Sequence, residues 1–154
     1  MKFVKADKGK YSFQIAKTER EVLFNLVELY PLIPVSHQRL TKFEDRPDDQ
    51  QLLEESLDEQ RKKNRAEIQK MLKAKSRFRE NKKGYRFSLK AEQVEWLLQV
   101  FNDLRVGSWL ALGSPDGLEQ TIAALNENNT QYFWTMELAT EFQVALLNAM
   151  NGSG

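Results

Sequence analysis

Paired carboxylates are the side chains whose type and spacing could most directly do chemistry in this chain of 154 residues. Glu54 and Asp58 are four residues apart, as are Glu55 and Glu59, so each pair would share one face of a helix. Carboxylate oxygens in such pairs can hold Mg²⁺. Acids near a helix start also complement the helix dipole. We expect this solvated, structural role for them, and we predict no metal and no other cofactor.

Nucleophilic catalysis has few suitable residues in this sequence. The chain has no cysteine and a single histidine, His37, which follows Ser36. No acid is placed to orient that histidine, as a Ser-His-Asp triad requires. A glycine-rich phosphate loop and a dinucleotide-binding fingerprint are also missing. We therefore predict that the protein is not an enzyme, because catalysis would have to rely on carboxylates and Arg105 alone.

The cations of the chain are concentrated in one segment. Residues 61–86 hold twelve lysines and arginines and only two acids. Such a segment can bind phosphates without reading a nucleotide sequence. The five cations that we select as a possible partner-binding basic face are Arg61, Lys62, Lys63, Arg65 and Lys73. A solvated basic face and an acidic protein partner are the alternatives.

Aromatic side chains lie within and next to this basic segment. Tyr85, Phe87 and Leu89 alternate with polar residues, which is typical of a strand with one buried face. If the aromatic rings were exposed, they could stack on single-stranded bases. The alternation instead predicts that they face the core.

The longest apolar helical pattern covers residues 91–112 and indicates a central helix. Its first apolar stripe contains Val94, Leu97, Leu98 and Phe101, and a second stripe runs from Trp96 to Ala111. A helix that is apolar around most of its circumference is buried in a core. We therefore expect this helix to contact neighbours on two faces, with Gly107 allowing a close approach.

A polar core interrupts this helix at Asn102, Asp103 and Arg105. Arg105 falls in the first stripe, where an unpaired buried guanidinium would be very costly. We expect a structural network in which Arg105 pairs with a carboxylate or with carbonyl oxygens, while Asp103 points to the opposite side. The candidate partners are Glu21, Glu54 and Glu141. A ligand-binding arginine and an arginine that reaches solvent are the alternatives.

The elements that position these residues can be predicted from periodicity and turn signals. The fold class is mainly α, a multi-helix bundle with a small N-terminal antiparallel β-hairpin that becomes three-stranded if residues 85–89 join it. Thr18 is the expected N-cap of the first helix. We predict a single domain over 1–151 and a tail over 152–154, with the hairpin at 2–15 and helices at about 18–30, 48–80, 91–112, 115–127 and 130–150.

Composition predicts a cytoplasmic protein. The chain is 41% hydrophobic and 29% charged, as in ordinary globular proteins. No stretch of about 20 residues is apolar enough to span a membrane, and the N-terminus lacks the apolar centre of a signal peptide. We therefore expect no membrane association.

The central stretch from Trp96 to Leu112, with its Asn-Asp-Leu-Arg core, resembles an uncharacterised bacterial domain family. That family is best known in actinobacteria, where it is often encoded beside the adaptor that delivers N-degron substrates to the Clp protease. Residues 21–26, 48–61 and 132–147 resemble its other helices in the same order. The resemblance implies no catalytic residue. Its link to proteolysis comes from gene neighbourhood.

These features together predict a non-enzymatic interaction or regulatory module. Its partner would be an unidentified protein, and a second copy of the chain in a homodimer is one option. The alternative is a nucleic-acid-binding module that uses the basic segment 61–86.

Overall fold

The computed structural model describes residues 1–32 and 47–152. Within these ranges the chain forms a four-stranded antiparallel sheet and five helices. The strands are β1 (Lys2–Asp7), β2 (Lys10–Ile15), β3 (Phe78–Asn81) and β4 (Gly84–Lys90), and the helices are α1 (Lys17–Leu29), α2 (Pro47–Leu72), α3 (Ala91–Ala111), α4 (Gly117–Ala124) and α5 (Thr130–Met150). The predicted mainly helical fold with an N-terminal hairpin is confirmed. The sheet is larger than predicted, so the fold is not a pure bundle.

The sheet has the strand order β1-β2-β4-β3, so the predicted hairpin is joined by a second one. Phe13 is paired with Phe87, and their rings stack with centroids 5.5 Å apart. Because side chains alternate between the two faces of a strand, this register places the apolar residues on one face, toward the helices. Phe87 is 2% exposed and Leu89 is 0% exposed. Their predicted orientation toward the core is confirmed.

Strand β3 lies where the sequence predicted the end of a long helix. Helix α2 ends at Leu72, and residues 78–81 pair with β4 instead of continuing the helix to about residue 80. Phe78 packs on Phe87, with ring centroids 4.7 Å apart. The spacing of Met71, Lys75 and Phe78 fits a helical stripe, but ring packing and the β4 ladder stabilise the strand.

The N-cap of helix α1 lies two residues earlier than predicted. This residue is Ala16, and the carboxylate of Glu19 accepts a hydrogen bond from the Ala16 backbone N–H at 3.0 Å. The same carboxylate pairs with the N-terminal ammonium. Burial acts to raise the pKa of Glu19, but these hydrogen bonds outweigh it and keep the pKa below its ordinary value. Ala16 therefore occupies the N-cap position that we predicted for Thr18, and the Glu19 side chain caps the start of the helix.

Gly84 is required at the start of β4. Its φ of +129° lies in a region that other residues rarely adopt, and a Cβ there would overlap the carbonyl oxygen of Ile15. This close approach joins the second hairpin to the end of β2. The close pairing of β4 with β2 therefore requires a glycine at this position.

Helix α3 packs mainly against α5, with the Phe101 and Phe142 rings stacked at a centroid distance of 5.5 Å. The first apolar stripe is largely buried, but the second is buried only in part, because Trp96 is exposed. Trp109, with 39% of its surface exposed, lies on the outer side of the helix with Val106. The prediction of burial around most of the helix is therefore wrong for this outer side.

Gly107 has the packing role that we expected, although its neighbour is not a helix. A Cβ at this position would lie 3.0 Å from the Cβ and Cγ atoms of Leu32. The chain that follows α1 therefore crosses α3 at this glycine. Ser36 and His37 lie outside the described residues.

Candidate functional site

The strand register collects basic residues on the outer face of the sheet. On β2 and β4, Lys10 is paired with Lys90 and Ser12 with Ser88. On β3, Arg79 is paired with Arg86. Alternation along each strand turns these side chains away from the core, and it does the same for two lysines of β1. We call this set the cationic sheet face: Lys2, Lys5, Lys10, Arg79, Arg86 and Lys90.

Two pairs within this face are cross-strand neighbours of the same charge. We call Lys10 with Lys90 the lysine pair and Arg79 with Arg86 the arginine pair. Like charges placed directly opposite each other destabilise a sheet. Asp7 lies opposite Lys10 on β1 and is the one carboxylate in register with this face among the described residues. The cations therefore outnumber the acids on the face by a wide margin.

A groove of about 540 Å³ runs over this face. Its charged lining residues are the lysine pair, the arginine pair and Arg77, and no carboxylate lines it. The remaining lining residues include Ser76, Ser88 and Gln93, which can donate hydrogen bonds. Its chemistry therefore suits an anion with many oxygen acceptors.

Arg77 is held in place at the floor of the groove. Its Nη1 atom donates to the carbonyl oxygen of Ser88 at 2.7 Å, and its Nε atom donates to that of Met71 at 3.3 Å. The hydroxyl groups of Ser12 and Ser88 are hydrogen-bonded to each other at 3.0 Å. These contacts fix the end of α2 against β4 and give the groove a defined shape.

The aromatic residues of the basic segment lie on the other side of the sheet. The Tyr85 ring is half-buried and sits beneath the Arg20 guanidinium, 4.6 Å from the ring centroid. Phe24 and Phe78 contact the same guanidinium at 4.7 and 4.8 Å. These rings stabilise the packing of α1 on the sheet. They are therefore not available to stack on bases at the outer face.

The basic face predicted on α2 is not a single surface. The Arg61 side chain is 11% exposed and lies 3.9 Å from the carboxylate of Asp103. Arg65 is half-buried, and its Nε atom has no hydrogen-bond partner. Lys62 and Lys63 point to solvent, and Lys62 pairs with Asp58 at 2.9 Å. The fifth residue, Lys73, is exposed just beyond the helix.

This division follows from the helix period. Positions 61, 65, 68 and 72 share one side of α2, and Ile68 and Leu72 anchor that side in the core. Arg61 and Arg65 therefore turn inward with them. Within segment 61–86, Arg79 and Arg86 share the outer face of the sheet, and the prediction of a helix to residue 80 did not show this.

The polar core of α3 contains a buried charge, but it is Asp103 rather than Arg105. Asp103 is 7% exposed and accepts a hydrogen bond from the backbone N–H of Leu32 at 2.8 Å. Arg105 is half-buried, and its Nη1 atom donates to Oε1 of the neutral Gln143 at 2.6 Å. Arg105 is therefore paired with a carbonyl oxygen, one of the two kinds of partner that we expected, and this oxygen belongs to an amide side chain.

Asn102 is exposed at the mouth of a second, shallower groove of about 250 Å³ between α3 and α5. Arg105, Val106, Trp109 and Met136 complete its lining. Asp103 faces away from it, as predicted, toward Arg61 and the chain after α1. The three residues of the polar core therefore lie on two different sides of α3.

Tyr30 adjoins the buried side of this core. Burial raises the pKa of its phenol, a hydrogen bond with Asn64 lowers it, and the negative charge of Asp103 raises it, with a net rise above the ordinary value. The ring is thus held neutral between α1, α2 and α3. This side of α3 has a structural role.

The described residues also bear on metal binding, on the paired carboxylates and on membrane spanning. Within residues 1–32 and 47–152, no three histidine, aspartate or glutamate side chains come together in a way that could hold a metal ion. Of the carboxylates at 54–59, Asp58 pairs with Lys62, and Glu55 accepts from Gln51 at 3.2 Å. No helix in these ranges is both long and apolar enough to cross a membrane.

Comparisons with models of protein families, with curated proteins and with solved structures found no match. The family resemblance of the α3 stretch therefore remains a prediction.

Proposed function

We propose that this protein is a non-enzymatic cytoplasmic interaction module that binds nucleic acid through the cationic sheet face. The observation that supports this proposal is the presence of two like-charge pairs around a groove without a carboxylate. Each pair costs stability in the free protein. A phosphate bound between the partners would remove that repulsion, so binding turns an unfavourable arrangement into a favourable one.

The composition of the face favours nucleic acid over a protein partner. Protein–protein interfaces have an apolar core that is enriched in aromatic side chains. Protein–DNA interfaces are more polar and much more positively charged. The outward side chains of β2 and β4 are lysine, arginine, serine and glutamine, with no apolar residue among them. An acidic protein is therefore the weaker candidate.

The test is a titration of fluorescently labelled DNA with the protein, followed by anisotropy at several salt concentrations. We expect binding that weakens steeply between about 50 and 200 mM salt, because phosphate contacts release counterions. A variant with glutamine at all four positions of the lysine and arginine pairs should lose about tenfold or more in affinity.

A matched control removes charge elsewhere. Lys62→Gln with Lys63→Gln takes two exposed lysines from α2, away from the groove, and should leave affinity nearly unchanged. Absence of DNA binding at low salt would contradict the proposal. Equal binding of poly-glutamate and DNA at matched charge would instead favour an acidic protein partner.

A further inference from the structure

The two like-charge pairs lie at a defined separation along the sheet. Arg86 and Lys90 are four residues apart on β4, which corresponds to about 13 Å in an extended strand. Pairing places Arg79 beside Arg86 and Lys10 beside Lys90. Neighbouring strands are about 4.8 Å apart. The groove therefore has two short cationic rows, about 13 Å from each other.

The strand positions midway between the two rows carry hydroxyl groups instead of charges. Ser12 and Ser88 occupy this middle level of the sheet face, with their hydroxyls hydrogen-bonded to each other. The Arg77 guanidinium at this level is turned to backbone carbonyls. Lys5 continues the level on β1, but it does not line the groove. Inside the groove, exposed positive charge is therefore concentrated at the two ends.

This separation is close to a dimension of the double helix. The major groove of B-form DNA is about 12 Å wide, with the phosphates of the two strands along its rims. Two cationic rows about 13 Å apart can each reach the phosphates of one strand. In this orientation the strands run across the groove, and the seven-residue β4 is about 23 Å long, which is too long to enter it. Contacts would therefore stay on the phosphates.

Single strands are bound in another way. Proteins that bind them place exposed aromatic side chains along a basic channel, and successive bases stack on the rings. The outer face has Ser12, Gln14 and Ser88 at the positions between the cations. The aromatic residues of β2 and β4 are on the inner face, with Phe13 and Phe87 in the core. A single strand would gain no stacking here.

We infer that the cationic sheet face binds double-stranded nucleic acid by the phosphates of both strands, one cationic row to each, without reading the base sequence. This inference rests on the proposed function and adds the class of ligand to it. The lysine pair contacts one strand, and the arginine pair contacts the other. The serine hydroxyls between them face the open groove of the duplex.

The experiment compares a labelled duplex of about 20 base pairs, roughly two helical turns, with one of its strands alone. Affinity is measured across a salt series for the natural chain and for each row variant. Four phosphate contacts predict a slope of log affinity against log salt of about −3.6 for the duplex. Lys10→Gln with Lys90→Gln should reduce that slope by about 1.8, and Arg79→Gln with Arg86→Gln by the same amount. The Lys62→Gln, Lys63→Gln control should not change it.

Each outcome has a separate meaning. A duplex bound roughly tenfold more tightly than the single strand, a difference of about 1.4 kcal/mol, with both row variants affected, supports the inference. Equal or tighter binding of the single strand overturns it while the proposed function stands. A salt slope that only one of the two row variants reduces also overturns the inference while the proposed function stands. Absence of binding to both ligands overturns the proposed function itself. Far-UV circular dichroism of each variant checks that folding is intact, and the slope of the natural chain tests the inference without any variant.

Discussion

Among the side chains that the structure describes, Asp103 is the one charged group that is buried. Its carboxylate accepts from the Leu32 backbone and faces Arg61, so a single residue of α3 ties together α2 and the chain after α1. A buried carboxylate is tolerated when it is paired and hydrogen-bonded in this way. Stability at this point of the fold therefore depends on polar contacts as well as on apolar packing.

The two charged residues of this helix should respond very differently to truncation. Asp103→Ala should lower the free energy of unfolding by about 3 kcal/mol, because it removes one partner of a buried ion pair. Arg105→Ala should cost about 1.5 kcal/mol, because it removes a hydrogen bond between a half-buried charged donor and a neutral amide. Urea unfolding monitored by circular dichroism measures both values. The exposed Asn102→Ala serves as a control with little effect, and a larger cost for Arg105 than for Asp103 would contradict this ranking.

The sequence identified this polar core but placed the buried charge at Arg105, whereas the structure buries Asp103. Helical spacing correctly placed Asp103 and Arg105 on different sides of α3. It could not show which side is closed by Leu32, because that contact joins positions 71 residues apart. The partner of Arg105 depends on how α5 is rotated about its own axis. The pattern of apolar residues in α5 alone did not predict that rotation.

At the scale of the secondary-structure elements, the sheet depends on cross-strand pairs. Lys10 and Lys90 repel each other, so Lys90→Gln, which keeps the opposite-charge pair of Asp7 and Lys10, should stabilise the fold by roughly 0.5 kcal/mol, or about 1–2 °C in the melting temperature. Calorimetry at low ionic strength measures the change, which should shrink as salt screens the pair. Such a gain in stability with a loss of DNA affinity is the pattern expected of a binding residue. A destabilised variant would contradict it.

The hairpin of β1 and β2 was predictable because alternating side chains flank a turn at Asp7–Lys10. Strand β4 was also predictable, from Tyr85, Phe87 and Leu89. Strand β3 was not, because it has four residues and only Phe78 is apolar. A short edge strand of this kind gains its stability from the ladder to β4 and from ring packing, and neither leaves a local pattern in the sequence.

At the scale of the whole molecule, charge is divided between its parts. Residues 106–154 contain no lysine or arginine and five acids, whereas the outer face of the sheet is basic. The net charge of +1 conceals this division. A charged ligand would be oriented by such a field before contact. The sequence showed the division, but only the register showed which cations share a surface.

The outer side of the α3–α5 pair is the surface on which we predict a second copy of the chain. Val106, Trp109 and Met136 adjoin the shallow groove, and Leu147 lies three turns further along α5 on the same side as Met136. Each helix has 21 residues, or about 31 Å. Two such helices side by side offer roughly 600 Å², close to the roughly 800 Å² per partner of a standard interface.

Sedimentation equilibrium over a range of protein concentrations tests this prediction. We expect a monomer–dimer equilibrium that Trp109→Glu shifts to monomer, because the carboxylate would be buried without a partner. Leu118→Glu, on the exposed side of α4, is the matched control and should leave the equilibrium unchanged. A monomer at every concentration would show that this face does not pair.

The edges of the sheet have a consequence for how the protein behaves at high concentration. Strands β1 and β3 are the outermost strands, and their free N–H and C=O groups could pair with a strand of another molecule. Lysines on β1, a register irregularity between Phe3 and Lys5, and Arg79 on β3 all disfavour such an addition. Arg79, a member of the arginine pair, thus also keeps one sheet from growing onto the next. Replacing it with a neutral residue would weaken both properties together, and the protein would become more prone to precipitate as it lost its ligand.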